Sequence, residues 1–254
     1  MTTDTTVDTV AIVTGASRGL GHALAMGLLR PGTLLITVAR HHDAALDDHA
    51  AQSGARVEQI QADLSDPATA QASALRIAGS MPPNAQRYLL LNNAGTVEPI
   101  GLACDLGSAA AITAAFTLNV SSIMLLVAAF LQATKSLPAE RRILNISSGA
   151  GRSPVAGWGV YCATKAAVDR YSQVLQAEHH DVRVVSLAPG VIDTSMQEKI
   201  RGAQEKDFPD VERFKQLHEK GALTPAVKTA NKILRYLERD DFGTTVLDDI
   251  RNYP

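Results

Sequence analysis

The chain has 254 residues, of which 46% are hydrophobic and 20% are charged, and its formal net charge is −2. This length suits one large α/β domain or two small ones, and the composition is that of an ordinary globular protein. The scattered basic residues and near-balanced charge give no basis for binding nucleic acid or an anionic membrane.

The predicted elements alternate along the chain between short apolar runs and longer helical patterns. The predicted strands are 10–13, 34–38, 57–60, 88–91, 143–146 and 182–187. The predicted helices are 19–30, 43–53, 67–81, 107–134 and 160–178. Near-continuous apolar strands, each followed by a helix, are typical of a parallel sheet covered on both faces. The sequence therefore predicts one α/β domain over 1–254, a single Rossmann-type doubly wound parallel sheet flanked by helices on both faces.

The first predicted strand is followed by a glycine-rich turn, Thr14-Gly15-Ala16-Ser17-Arg18-Gly19-Leu20-Gly21, which leads into a helix. Glycines in such a turn let a pyrophosphate approach the backbone, and the helix N-terminus offers free N–H groups and a positive dipole end. A glycine cluster alone is weak evidence. Its place between a strand and a helix predicts dinucleotide binding.

The end of the second strand distinguishes NAD from NADP, because an acid there binds the ribose 2′-hydroxyl whereas a basic residue accepts a 2′-phosphate. The chain has Arg40 at this place, and Arg18 could face the same phosphate. The alternative is that both arginines are solvated surface residues. We expect NADPH/NADP+ as the cofactor.

Two later turns add to the expected cofactor site. Asp63-Leu64 follows the third strand and could meet the adenine edge, although Asp63 could equally cap a helix. Asn92-Asn93-Ala94-Gly95 follows the fourth strand, and its small residues would let the backbone approach the cofactor.

Tyr161 and Lys165 lie four residues apart, on one face of a predicted helix. A free tyrosine, with a pKa of about 10, is a poor acid–base catalyst at neutral pH. We expect the lysine cation to lower the pKa of the phenol. Ser148 lies just past the predicted strand 143–146 and could hydrogen-bond a substrate carbonyl. Together the three residues indicate reduction of a carbonyl, with Tyr161 as the proton donor.

One polar segment, 191–223, interrupts the alternation of strands and helices. It follows the Pro189-Gly190 turn at the end of a strand, where ligands of open α/β sheets bind. We favour a substrate lid here, and a plain surface excursion is the alternative.

These motifs resemble the short-chain dehydrogenase/reductase family in order and spacing, from the glycine turn through Tyr161-x-x-x-Lys165 to Pro189-Gly190. The resemblance covers nearly the whole chain. It implies that Asn119 is a fourth catalytic residue, which holds a water in a proton relay through Lys165. It also implies a cofactor site that reaches to the nicotinamide end. The implied cofactor contacts in the second half of the chain are Tyr161, Lys165, Pro189, Gly190, Val191 and Thr194.

A narrower resemblance is to the sepiapterin reductase branch, carried by residues 145–148, 157–162 and 188–197. Within that branch, 147–151 and 207–214 are closer to bacterial benzil reductases. Both activities reduce a carbonyl beside a second carbonyl, so the resemblance implies a vicinal dicarbonyl substrate.

Two residue questions stay open at this point. Trp158 is a candidate substrate contact and, with equal weight, a packing residue. Sepiapterin reductases anchor the pterin with an aspartate near the C-terminus. In Leu247-Asp248-Asp249 the leucine falls at that place unless the register slips to Asp248 or Asp249, so the resemblance leaves pterin recognition open.

The same motifs leave two rival functions open and imply an assembly. An NADP-dependent alcohol dehydrogenase and a non-catalytic NADP-binding regulator are the rival functions. The regulator would be expected to lack Ser148, Tyr161 or Lys165. The resemblance implies a homodimer or homotetramer, and the helices 107–134 and 160–178 are apolar enough to pair with a second copy.

The sequence also predicts where the protein is located and that it binds no metal. Two cysteines are too few for a disulfide framework, and the first ten residues lack the stretches of a signal peptide. The longest apolar run, 123–131, is less than half the length that spans a bilayer. We therefore expect a soluble cytoplasmic protein. No metal site is predicted, because His179 and His180 would face different directions on a helix.

Overall fold

The structure is a computed structural model that describes residues 7–179 and 181–254. Residues 1–6 and His180, considered above for a signal peptide and a metal, lie outside these ranges. Within them the strands are β1 Thr9–Thr14, β2 Thr33–Ala39, β3 Arg56–Gln61, β4 Arg87–Asn92, β5 Glu140–Ile146, β6 Arg183–Ala188, β7 Ile192–Asp193, β8 Thr224–Pro225 and β9 Leu247–Asp249.

Helices separate most of these strands. They are α1 Gly19–Leu28, α2 Ala44–Ser53, α3 Pro67–Ser80, α4 Ala109–Phe116, α5 Ser122–Thr134, α6 Gly159–Glu178, α7 Ser195–Arg201, α8 Val211–Glu219 and α9 Ala226–Leu237. A π-helical segment, Thr117–Ser121, joins α4 to α5, and a 3-10 turn, Gly149–Gly151, precedes α6.

Seven strands form the central parallel sheet, in the order β3-β2-β1-β4-β5-β6-β9. The winding reverses between β1 and β4, which is the switch point where open α/β sheets bind ligands at the carboxyl ends of their strands. The two remaining strands, β7 and β8, pair with each other in parallel and bring the two ends of residues 194–223 together.

Helices cover both faces of the sheet, which confirms the predicted doubly wound fold. On one face α1, α2 and α9 pack on alternate residues of the strands, such as Val13 and Leu35. On the other face α3, α5 and α6 pack on the intervening residues, such as Ile12 and Ile36. Each inner strand is therefore apolar on both sides, which explains its near-continuous hydrophobic sequence.

The predicted helix 107–134 differs from the structure in one respect, because the π-helical segment interrupts it. The span Ala109–Thr134 has a mean hydropathy of 2.1 in its most apolar stretch, enough by length and composition to cross a membrane. Half of that stretch is buried within the protein. Its residues Ile123, Val127 and Phe130 belong to the core, so we describe it as a core helix.

Candidate active site

The glycine turn after β1 packs tightly against the turn after β4. The Thr14 hydroxyl accepts hydrogen bonds from the backbone N–H groups of Asn93 and Ala94, at 3.0 and 2.9 Å. Gly15 has a positive φ of 68°, and a Cβ on Gly21 would overlap the carbonyl oxygen of Gly15. Side chains at these glycines would therefore break the turn.

The N-terminus of α1 fits the phosphates of a dinucleotide. Among the described residues no side chain caps this helix, and its first turn holds no acid. The next two helices, by contrast, are capped by Asp43 and Asp66. The N–H groups of α1 are thus left for a ligand, beside a turn whose backbone is open to close approach.

The two arginines predicted at the 2′-phosphate lie at neighbouring strand ends. Arg18 immediately precedes α1, and Arg40 immediately follows β2. Both are exposed, and neither forms an ion pair within the ranges that the structure describes. Their guanidinium groups are therefore available to an anion at this corner of the sheet.

The turn after β3 distinguishes the two roles that the sequence allowed for Asp63, a contact with the adenine edge and a helix cap. Asp66, not Asp63, caps α3, through a hydrogen bond from the Thr69 N–H at 2.7 Å. Hydrogen bonds from Ser65, together with the nearby Arg40, hold the pKa of Asp63 below its usual range. Asp63 is therefore a carboxylate beside the arginine corner, while the next residue, Leu64, is buried in the core.

Ser148, Tyr161 and Lys165 meet at the carboxyl end of β5. Ser148 begins the 3-10 turn there, and its hydroxyl accepts a hydrogen bond from the Ala150 N–H at 3.2 Å. The Lys165 ammonium donates to the carbonyl of Ile146 at 2.7 Å and lies 5.8 Å from the centre of the Tyr161 ring. The three polar side chains predicted to act on a carbonyl thus share one buried corner.

The expected effect of Lys165 on Tyr161 is wrong in this structure. Burial raises the pKa of Tyr161 to about 12, and the adjacent Ser148 hydroxyl only partly opposes that rise. Burial likewise lowers the pKa of Lys165 to about 8, against the opposing effect of Asp169. Desolvation is the largest influence on both groups, and the pKa of Tyr161 lies well above neutral pH.

Asn119 lies within the π-helical segment and is completely buried. Its side-chain oxygen accepts from the Thr96 N–H at 2.8 Å, and its nitrogen donates to the Thr96 carbonyl and the Thr164 hydroxyl. The amide is thereby occupied by neighbouring groups. A water held by Asn119 would have to bind elsewhere on the residue, and π-helical segments free backbone carbonyls at functional sites.

Trp158 packs between Tyr161 and the segment 194–223. Its ring stacks on Phe208 at 4.8 Å between centres and meets the edge of Tyr161 at 5.4 Å. It is 6% exposed, and its indole N–H has no hydrogen-bond partner among the described residues. Trp158 is thus a packing residue in this structure, and its ring directly contacts the ring of Tyr161.

The segment 194–223 covers the tyrosine from two directions. Its first residue, Thr194, contacts the glycine turn, since a Cβ on Gly19 would lie 3.2 Å from the Thr194 methyl group. Further along, Lys199 of α7 forms an ion pair with Glu98 of the loop after β4. The segment therefore contacts both the glycine turn and the loop after β4.

The remaining predicted residues near the nicotinamide end lie in the turn between β6 and β7. Gly190 has a positive φ of 79°, and both Pro189 and Gly190 are partly exposed. The Val191 carbonyl accepts a hydrogen bond from the Thr224 N–H at 3.0 Å, which holds the base of the segment closed.

Neither C-terminal aspartate is free to anchor a ligand. Asp248 is 4% exposed and accepts hydrogen bonds from the Tyr236 hydroxyl, at 2.7 Å, and from the Tyr253 hydroxyl. Asp249 forms a two-pronged ion pair with Arg251, at 2.9 and 2.6 Å. Both carboxylates are engaged within the protein.

Sequence reasoning missed several residues that build the site. Thr96, Phe208 and Arg152 act through contacts between distant parts of the chain, which spacing does not reveal. The aromatic pair Phe208 and Phe214 did carry a signal, since large apolar residues in a charged segment indicate a buried face.

Comparison with known proteins places these features in a wider group. The sequence profile described as short chain dehydrogenase matches residues 9–205. A benzil reductase ((S)-benzoin forming) of Bacillus cereus is 36% identical over 236 residues, which cover 91% of this chain and 94% of that protein. A sepiapterin reductase of Meriones unguiculatus is 37% identical over 245 residues, which cover 92% of each.

A solved structure gives the same picture. The short-chain dehydrogenase from Sphingobium yanoikuyae in complex with NADPH superposes with a TM-score of 0.72 at 28% identity. The match covers 95% of this chain and 87% of that one.

Proposed function

Since the chain belongs to the short chain dehydrogenase family, as its motifs predicted, we propose that it is an NADPH-dependent carbonyl reductase acting on vicinal dicarbonyls. The family assignment makes it an NAD(P)-binding oxidoreductase. The observation that carries the proposal is the meeting of Ser148, Tyr161 and Lys165 at the carboxyl end of β5. A phenol that keeps its proton at neutral pH can donate it to a carbonyl oxygen as hydride is added, so we favour reduction.

The chemistry divides between cofactor and protein. NADPH, when bound, supplies the hydride to the carbonyl carbon. The Ser148 and Tyr161 hydroxyls hydrogen-bond the substrate oxygen, and Tyr161 gives it a proton. Lys165 stands next to that phenol and, with a pKa of about 8, can replace the lost proton.

The proposed preference for NADPH rests on the arginine corner. Arg18 and Arg40 are exposed cations at adjacent strand ends, and Arg40 takes the place directly after β2 where an acid would bind a ribose 2′-hydroxyl. We expect Arg40→Ala to weaken NADPH binding by about 10-fold to 100-fold, since a charge-assisted phosphate contact is lost. NADH binding, measured in parallel by fluorescence titration, should stay unchanged. Equal losses for both cofactors would overturn the NADPH assignment.

The proposed substrate class rests on two observations. Benzil and sepiapterin reductases are both similar to this chain, and benzil is a vicinal diketone. Asp248 and Asp249 are both engaged, which disfavours a pterin anchor. The aromatic group of Trp158 and Phe208 beside Tyr161 favours a flat aryl diketone.

The decisive experiment follows NADPH oxidation by absorbance with benzil, sepiapterin and a simple aryl ketone. Turnover of benzil well above sepiapterin supports the proposal, and the reverse preference would require a freed aspartate. Tyr161→Phe should lower kcat by about 10²-fold to 10⁴-fold. Tyr171→Phe, on the same helix, is the matched control. NADPH binding without reduction of any carbonyl would favour the regulator, and faster oxidation of alcohols with NADP+ would favour the dehydrogenase.

Assembly and location belong to the same proposal. We expect a homodimer or homotetramer built through α4, α5 and α6. A cytoplasmic location stays a prediction, which cell fractionation would test.

A further inference from the structure

Arg152 ties the turn that carries Ser148 to three other elements. Its Nε donates to the carboxylate of Asp169 in α6 at 3.0 Å. One terminal nitrogen donates to the Asp248 carbonyl in β9 at 3.0 Å, and the other to the Ser186 carbonyl in β6 at 3.1 Å. One side chain therefore holds the end of the Ser148 turn against a helix and two strands.

Asp169 completes this arrangement from the helix side. It lies one turn beyond Lys165, is 5% exposed, and its second oxygen accepts a hydrogen bond from the Ser186 hydroxyl at 2.6 Å. A buried carboxylate needs such partners, because an unpaired charge in the interior is strongly unfavourable. Arg152 supplies the countercharge, so the two residues form a neutral pair.

The Ser148 turn also lies directly against the backbone at Lys165. A Cβ on Gly151 would come within 2.7 Å of the Lys165 carbonyl carbon. A shift of the turn would therefore move Ser148 relative to Tyr161 and Lys165. The glycine contact and the hydrogen bonds of Arg152 both hold this spacing from the turn's C-terminal side.

We propose that Arg152 and Asp169 are a positioning pair, which fixes Ser148 relative to Lys165 and balances the charge beside that lysine. The inference rests on the proposed carbonyl reduction for its kinetic meaning. Neither residue touches the substrate in this scheme. Both act through Ser148 and Lys165.

The charge part of the inference follows from what surrounds Lys165. Tyr161 and Asp169 lie on its own helix, and Asp169 raises the pKa of Lys165 against the effect of burial. The elements packed on α6 bring few further charges: α4, the π-helical segment and the 3-10 turn contain none. The charged residues at the other packed elements are Arg152, Arg183, Asp248 and Asp249.

Two single substitutions should shift the pH dependence in opposite directions. Asp169→Asn removes the negative charge, so the fall of kcat with rising pH should begin at a lower pH than in the wild type. Arg152→Met leaves Asp169 without its countercharge, so the fall should begin at a higher pH. The double variant should return it to the wild-type position.

The positioning part predicts losses in kcat. Both single variants and the double variant should lose about 10-fold to 100-fold in kcat, since small displacements of catalytic groups have effects of this size. NADPH affinity should not change. Arg152→Lys keeps the charge but not all three contacts, so it should leave the pH dependence unchanged while kcat falls.

The measurement is kcat and KM for the best carbonyl substrate between pH 6 and 10, a range that brackets the Lys165 pKa of about 8. A merely structural role would lower kcat without moving the pH dependence in opposite directions, and that result would overturn the inference. Should Arg152→Met not fold, the test is that Asp169→Asn moves the fall of kcat to lower pH while Arg152→Lys, which keeps the charge, does not move it.

An assay without turnover separates this inference from the proposed function. NMR titration of the Lys165 side chain in labelled protein gives its pKa in the wild type, Asp169→Asn and Arg152→Met. The Lys165→Met variant serves to assign the signal. An inactive wild type with the expected order would refute carbonyl reduction and keep the charge pairing. An active wild type with unshifted titrations would refute the pairing alone.

Discussion

Lys165 is 3% exposed, and burial lowers its pKa from 10.5 to about 8. The folded protein therefore binds this proton less tightly than the unfolded chain. Below pH 8 both states are protonated, and folding must bury the charge. Between about pH 8 and 10.5 only the unfolded state keeps the proton, so stability rises with pH across this window.

We predict that Lys165→Met stabilises the protein at pH 7. The shift corresponds to about 3 kcal/mol of unfavourable charge burial, from which about 1 kcal/mol is subtracted for the lost hydrogen bond to Ile146. The free energy of unfolding should rise by about 2 kcal/mol. Urea denaturation at pH 7 and pH 10 measures this, and the gap should narrow at the higher pH. A variant less stable than the wild type at pH 7 would contradict the prediction.

At this scale the sequence revealed the residues whose chemistry and spacing are local. Tyr161 and Lys165 share a helix face, and Ser148 follows a strand, so pattern alone brought them together. The direction of the Tyr161 pKa shift could not be predicted from the sequence, because it depends on burial beneath Trp158 and the segment 194–223. Arg152 was out of reach for a similar reason, since its partners lie on three separate elements.

The segment 194–223 shows the same limit at the scale of elements. Its charged sequence predicted an interruption of the fold, and the structure adds two helices whose apolar residues, Ile200, Val211 and Phe214, cover Trp158. The π-helical segment was likewise invisible in the sequence. Its hydrogen-bond register depends on the contacts of Asn119 with Thr96 and Thr164, not on a local pattern.

Gly157 controls how closely this segment approaches the body of the protein. Its φ is 83°, and a Cβ there would overlap the Asp207 carbonyl oxygen and lie 3.1 Å from Phe208. We predict that Gly157→Ala displaces Phe208 from Trp158 and costs about 1–3 kcal/mol of stability. KM for an aryl diketone should rise about 10-fold, while NADPH affinity should hold.

Gly79→Ala is the control for this prediction, because nothing lies within 4 Å of a Cβ at that position. Steady-state kinetics and thermal unfolding of the two variants make the comparison. An unchanged KM in Gly157→Ala, together with lost stability, would show that the segment does not contribute to substrate binding.

The fold of the whole molecule was the most predictable level. Six of the seven sheet strands were predicted within a few residues. Five of them are buried, largely apolar runs, and the sixth, β3, is a partly exposed edge strand. The seventh, β9, contains two aspartates in three residues and carries no such signal. It is held at the edge by pairing with β6 and by the contacts of Asp248, both of which join distant parts of the chain.

The assembly prediction belongs to this scale, because it concerns surface that no single element defines. Phe116, Met124 and Val174 are 36%, 39% and 42% exposed, and they lie on α4, α5 and α6. Burying such side chains against a second copy would contribute about 1–2 kcal/mol each. A glutamate there would have to be desolvated in the interface, so Met124→Glu and Val174→Glu should each weaken association.

Size-exclusion chromatography with light scattering tests this directly. We predict that the double variant Met124→Glu/Val174→Glu has half the native mass, since loss of one interface turns a dimer into monomers and a tetramer into dimers. Leu75→Glu is the matched control, because Leu75 is 66% exposed on α3, outside the three helices of the proposed interface, and its variant should keep the native mass. A double variant with unchanged mass would move the interface elsewhere, and a monomeric wild type would leave the exposed apolar residues without a partner.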